Sequence, residues 1–176
     1  MSKKLSPRLD IIISVIIMLT VVKVFIPVIG TVGWVPSGSM IPTLEIGDRL
    51  IWISSSIIEP DYGDICVFHP NDEEATDNDE VYVKRLIGKP GDLIQVKNGV
   101  LYRNYKIIKE DYVANNDVAT TASFKVPSGR YLFLGDNRES SFDARFWKDP
   151  YIKESQIKYV VKARFYPFNR ATIHIK

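Results

Sequence analysis

Residues 11–29 read IIISVIIMLTVVKVFIPVI, a nearly unbroken apolar run with a single charge, Lys23. No other stretch limits the fold as strictly, because so much apolar surface must leave water somewhere. At about 1.5 Å per residue, a helix of this length almost matches the roughly 30 Å hydrocarbon core of a bilayer. Lys3, Lys4 and Arg8 precede the run. The positive-inside rule then leaves residues 1–10 as a cytoplasmic tail, 11–30 as a single-pass anchor in the cell membrane and 31–176 as an extracytoplasmic domain. Lys23 falls about 10 Å from the outer end, within reach of the surface by snorkelling, and Pro27 sits where a helix break is cheap.

Two other readings stay open at this point. A cleaved targeting segment would explain the basic start and apolar middle, although Val-Ile-Gly makes a poor small-x-small site. A buried core helix would explain the apolarity, although the run has no polar face.

The remaining residues suffice for one globular domain with a real core. A net charge of +2 supplies no strong basic field, so nucleic acid is not an expected partner. The single cysteine, Cys66, excludes an internal disulfide and reads as a small hydrophobe in an alternating strand. One cysteine and two histidines give little for a metal cage, and no metal or other cofactor is expected.

Past residue 30 the texture is β. Strands are expected at 49–53, 64–69, 80–87, 93–97, 100–103, 131–134, 157–166 and 171–175. Asn98-Gly99 between two of them is the strongest short hairpin signal available. Residues 71–80 carry six acidic side chains and read as a solvated loop. Their spacing lacks the glycine and final glutamate of an EF-hand calcium loop. Many short strands joined by glycine turns favour a mainly β domain, barrel-like or built from a pair of coiled sheets.

Just beyond the apolar run lies Pro36-Ser-Gly-Ser-Met-Ile-Pro-Thr-Leu44. Two serines separated by glycine and fenced by prolines form a stiff turn that presents a hydroxyl and a backbone N–H to one point. A serine nucleophile also needs a base. His69 abuts Pro70 beside the acidic loop and His174 stands in the last strand, so both read as structural or surface residues. A lysine serves as a base only when burial lowers its pKa. Lys84 lies in Val81-Tyr-Val-Lys-Arg-Leu-Ile87, where alternation places Tyr82, Lys84 and Leu86 on one face and Val83, Arg85 and Ile87 on the other.

These residues resemble the type I signal peptidases, bacterial leader peptidases that are Ser-Lys membrane proteases of the secretory pathway. The Pro36–Leu44 run resembles that family's nucleophile box, Gly47-Asp48 its next short box, and Tyr82-Val-Lys-Arg-Leu-Ile-Gly-Lys-Pro-Gly-Asp92 its lysine box. Gly135-Asp-Asn-Arg-Glu-Ser-Ser-Phe-Asp-Ala-Arg-Phe-Trp147 resembles its final box. The resemblance implies the signal peptidase β fold, with Ser39 as nucleophile and Lys84 as general base. It implies the Ser39 N–H and the Ser37 hydroxyl as oxyanion donors, and Ser141 as the hydroxyl that orients the lysine. Asp136 with Arg85, and Asp143 with Arg145, are implied as supporting ion pairs. Val35, Met40, Leu44, Tyr82 and Val83 match the lining of two shallow substrate pockets. Ala144 departs from the pattern, where a second serine is frequent.

The implied reaction is cleavage of signal peptides from secreted preproteins after small-x-small residues, with the bilayer as the meeting place and no obligate protein partner. Trp34 is either an interfacial anchor or a core residue. A dedicated Ser-Lys peptidase that matures one partner, as in conjugation or pilus systems, keeps the same dyad. A self-cleaving repressor relative lacks a helix-turn-helix candidate here. A tethered β-domain that binds without catalysis is the reading from another class.

Overall fold

The computed structural model describes residues 7–70, 81–173 and 175, with the side chains of 7 and 21–28 left aside. The 71–80 loop and His174 lie outside the described residues, as do the side chains of Lys23 and Pro27.

The chain opens with helix α1 (Pro7–Ile29). Its large apolar side chains from Leu9 to Leu19 are exposed. Among the described residues, no helix is long and apolar enough to cross a membrane. The expected membrane span over 11–30 therefore appears only as a helix, with Thr20 its last described side chain before Ile29.

Twelve strands follow: β1 (Gly30–Trp34), β2 (Arg49–Ser54), β3 (Ile65–Phe68), β4 (Tyr82–Gly88), β5 (Leu93–Lys97), β6 (Val100–Arg103), β7 (Lys106–Ile108), β8 (Ala122–Lys125), β9 (Arg130–Leu134), β10 (Tyr151–Lys153), β11 (Ile157–Tyr166) and β12 (Thr172–Ile173). They form two antiparallel sheets. The larger runs β1-β2-β11-β3-β4-β9-β10 with β12 added beside β11, and the smaller runs β7-β6-β5-β8. The larger sheet is an open path, so the pair-of-sheets form of the expected architecture is the one observed.

The hairpin read from Asn98-Gly99 is present with the expected strands β5 and β6. Both turn residues have positive φ, 52° and 75°, which asparagine and glycine accept most readily. Strands β1, β7, β8 and β10 had no sequence signal of their own. They are short and variably exposed, and their hydrogen-bond partners rather than their side chains define them.

Two apolar clusters hold the sheets. One gathers Phe68, Leu86, Phe133, Trp147 and Ile152 of the larger sheet side with Ile94, Val96, Leu101 and Phe124 of the smaller sheet. The other collects Val35, Met40, Leu44, Leu50, Val67, Val83 and Val161 beneath the turn that follows β1. At about 25 cal/mol per Å² of apolar surface, such burial is the main force that docks the sheets. Expected alternation along β4 holds until a register shift between Leu86 and Gly88. Past it Ile87 packs in the same cluster as Leu86, because a bulge reverses the face that a side chain takes.

Candidate active site

Residues 35–40 and 81–84 face one another across a groove of about 540 Å³, closed at one end by Asn137, Ser140 and Phe142. Three segments far apart in sequence meet there. The turn after β1 brings Ser37 and Ser39, β4 brings Tyr82 and Lys84, and the irregular stretch after β9 brings Asn137 and Ser141.

Lys84 is buried at 5% exposure. Its Nζ donates to Ser141 Oγ at 3.2 Å and stands 5.9 Å from the Tyr82 ring centre. Its pKa is brought down to about 8, chiefly by burial; Asp143 and Asp136 oppose the shift and the Arg145 charge adds to it. A lysine so placed is partly neutral near physiological pH and can accept a proton.

Ser39 is buried and lines the same groove. The Ser37 hydroxyl donates to Ser39 Oγ at 3.4 Å. The turn is held by Asn137, whose backbone N–H donates to the Ser39 carbonyl at 3.0 Å and whose Nδ2 donates to the Gly38 carbonyl at 3.0 Å. Gly135 completes the contact. A Cβ there would lie 2.1 Å from Ser141 Oγ and 2.6 Å from the Ser39 carbonyl oxygen, so only glycine lets the two serine-bearing segments approach this closely.

Charged pairs brace the groove. Arg85 grips Asp136 with two bonds, Nε to Oδ1 at 2.8 Å and Nη2 to Oδ2 at 2.5 Å, and both side chains are sealed from solvent. The Thr43 hydroxyl adds a third bond to Asp136 and so ties this pair to the serine turn. Arg145 binds Asp143, which also accepts the Gly135 N–H at 2.9 Å. Asp48, from the short Gly47-Asp48 motif, accepts from Arg164 at 3.0 Å and Arg170 at 3.3 Å and is buried.

A strap between β7 and β8 was invisible to sequence reasoning. Its Glu110 takes Arg138 in a two-bond grip, Tyr112 lies under Arg85 at 3.9 Å, Asn115 donates to Asn137 Oδ1 at 3.3 Å, and Asp117 pairs with Arg145 at 2.9 Å. Asn137, Arg138 and Thr43 carry no signal beyond lying in or beside the motifs, and their partners lie 22 to 99 residues away.

Of the expected pocket residues, Val35, Met40, Tyr82 and Val83 line the groove. Leu44 does not; it lies fully buried in the cluster below. Ala144 is enclosed within the other apolar cluster. Trp34 is 63% exposed, on the rim of a second cleft with Val32, Arg49 and Phe165. His69 does not line the groove. Cys66 is buried, and burial raises its thiol pKa. Among the described residues, no three His, Cys, Asp or Glu side chains gather as a metal site.

The model of the signal peptidase family, peptidase S26, matches residues 8–166. A probable signal peptidase I-2 from Synechocystis is 39% identical over 140 residues, 78% of this chain and 63% of that protein. A signal peptidase I from Leptolyngbya laminosa is 39% identical over 142 residues, 78% of this chain and 69% of the relative. Signal peptidase IB from Staphylococcus aureus is 36% identical over 183 residues, 92% of this chain and 91% of the relative. The chain thus spans a little under two thirds of the Synechocystis protein and nearly all of the staphylococcal one. A crystal structure of a signal peptidase I from Enterococcus faecalis superposes with a TM-score of 0.48 at 29% identity, covering 58% of this chain and 96% of that one. On the sequence matches, this chain belongs to the signal peptidase family, peptidase S26.

Proposed function

We propose that this chain is a serine endopeptidase that removes N-terminal signal peptides from exported precursors after small-x-small residues, with Ser39 as nucleophile and Lys84 as general base. One observation carries the reading: a lysine with its pKa lowered by burial stands in the same groove as a serine held in a braced turn.

Neutral Lys84 takes the Ser39 proton as the hydroxyl oxygen attacks the carbonyl carbon of the peptide. The oxyanion receives hydrogen bonds from the Ser39 N–H and from the Ser37 hydroxyl, which turns away from its present bond to Ser39 Oγ. The Lys84 ammonium then protonates the leaving amine. Lys84, neutral again, activates the water that releases the acyl-enzyme. Ser141 keeps Nζ aimed at the reacting atoms throughout. The Arg85–Asp136 and Arg145–Asp143 pairs hold the segments that carry these groups.

The groove favours an extended substrate. The ladder between β4 and β9 starts at Arg85, and Val83 lies beyond its end at the groove, where an added strand can dock. Val35, Met40, Tyr82 and Val83 give shallow apolar walls suited to alanine-sized side chains.

The membrane belongs to the same proposal: a cytoplasmic tail over 1–10, an anchor over 11–30 and an extracytoplasmic catalytic domain over 31–176. It is supported by the exposed apolar side chains of α1 and by an apolar row that crosses four strands. Val32 faces Ile51, Ile51 faces Ala163 and Ala163 faces Ile173. Trp34 and Phe168 stand exposed near this row, and aromatic side chains favour the bilayer interface. Substrate and enzyme then share two dimensions, which raises their effective concentration.

The test is direct. The detergent-solubilised protein is incubated with a precursor beside Ser39→Ala, and the new N-terminus is sequenced. A single cut after a small-x-small site, absent with Ser39→Ala, is the expected result. A folded parent protein that leaves several precursors intact overturns the proposal.

A further inference from the structure

The Asn137 amide touches the serine turn at one end of the groove and uses both its ends. Its Oδ1 accepts from Asn115 Nδ2 at 3.3 Å, which fixes the amide so that Nδ2 faces the Gly38 carbonyl at 3.0 Å. The Gly38 carbonyl and the Ser39 N–H belong to one peptide unit. That unit is planar, with carbonyl and N–H pointing in opposite directions. A hydrogen bond that pins the carbonyl therefore also sets where the N–H points. The next unit is pinned too, because the Asn137 backbone N–H donates to the Ser39 carbonyl at 3.0 Å. Asn137, itself 7% exposed, thus bonds to both peptide planes flanking Ser39. The Ile41 N–H within the turn is a second donor to the Gly38 carbonyl at 3.2 Å, and the Asn137 contacts are the ones that come from outside the turn.

We infer that Asn137 is a positioning residue that aims the Ser39 N–H at the developing oxyanion, with Asn115 of the β7–β8 strap setting the orientation of its amide. The inference rests on the reading of Ser39 as nucleophile. Asn137 makes no bond to the substrate in this role; it removes the freedom of a donor whose direction matters only once the carbonyl carbon becomes tetrahedral. A donor fixed in advance costs no reorganisation at that moment. The strap thereby gains a part in catalysis without any contact with the groove.

Asn137→Asp keeps the shape and loses the side-chain donor; Asn137→Ala loses both ends; Asn115→Ala leaves Asn137 in place but free to turn over. Each is compared with the full-length parent in detergent, using a synthetic precursor peptide, its aldehyde and a non-electrophilic peptide of the same sequence. The aldehyde adds the Ser39 hydroxyl to form a hemiacetal whose oxygen occupies the oxyanion position. Asn137→Asp and Asn137→Ala are expected to lower kcat by about 10- to 100-fold, and Asn115→Ala by about 3- to 10-fold, with KM within twofold of the parent. Aldehyde affinity falls in step with kcat, the non-electrophilic peptide binds as before, and the kinetic pKa stays at the parent value in Asn137→Ala and Asn115→Ala, which add no charge to the groove. Parental kcat in Asn137→Asp overturns the inference. So does an equal loss of affinity for both peptides, which marks a general loosening or a direct substrate contact. Should Asn137→Ala not fold, Asn137→Asp and Asn115→Ala decide. Cleavage that persists in Ser39→Ala instead removes the nucleophile assignment on which the inference stands.

Discussion

Ser141 accepts a hydrogen bond from Lys84 at 3.2 Å, and this bond ties the buried ammonium to the stretch after β9. With its pKa brought down to about 8, about one lysine in ten is neutral at pH 7, against about one in three thousand for an ordinary lysine. Cleavage rate should therefore rise about tenfold per pH unit below that value and level off above it. A kcat/KM profile from pH 6 to 10 checks this, and a flat profile speaks against a lysine base.

Burial of Lys84 costs the fold stability as long as the folded state carries the charge. Between about 8 and the ordinary lysine value of 10.5, the unfolded chain binds more protons than the folded one, so stability increases with pH across that window. Lys84→Met removes the cost. It should stabilise the protein at pH 7 by up to about 3 kcal/mol, and the gain should shrink toward zero by pH 10.5. Urea unfolding of parent and variant at several pH values measures the gap; a gap that does not change with pH contradicts the buried charge.

Gly135→Ala places a methyl group against Ser141 Oγ and the Ser39 carbonyl at once. One of the two segments must move. A displacement of this size should cut kcat about 100-fold and cost about 1–3 kcal/mol of stability. Steady-state kinetics with thermal denaturation reads both. Near-parental activity would mean that the two segments are free to separate.

Arg85→Met leaves the Asp136 carboxylate buried without its guanidinium. A loss of about 3–5 kcal/mol is expected, and the double variant Arg85→Met/Asp136→Leu should lose less than the single one. Denaturant midpoints for the three proteins settle the order.

Trp34 is exposed, whereas Trp147 is buried and Trp52 is largely packed. Anionic vesicles should shift the tryptophan emission of the parent to the blue and leave that of Trp34→Phe nearly unchanged. A shift of equal size in both proteins would place the membrane contact elsewhere.

The motif serines, Lys84 and the β5–β6 hairpin were legible because each depends on local chemistry: a proline-fenced turn, an apolar strand around a lysine, an Asn-Gly pair with positive φ. What escaped depends on topology. Nothing near Arg138 announces Glu110, and nothing near Asn137 announces Gly38; those partners lie 28 and 99 residues away and meet only in the folded chain. Leu44 shares a motif with Ser39 but is fully buried, because the turn folds one apolar residue under the other groups. Trp34 and Trp52 look alike in sequence, yet the first faces outward and the second packs on Tyr159 at 5.9 Å between ring centres, a difference set by which strand lies at the sheet edge.

The strap between β7 and β8 fixes how small a working version of this chain can be. Glu110 and Asp117 touch no part of the groove, yet they provide carboxylates for Arg138 and Arg145. A trimmed chain without them would leave Arg145 only Asp143 and would bury the Arg138 guanidinium without its Glu110 carboxylate, next in sequence to Asn137, which bonds to the serine turn. The small sheet is therefore not a removable appendage: any minimal catalytic fragment has to carry residues 110–117 and the strands that hold them.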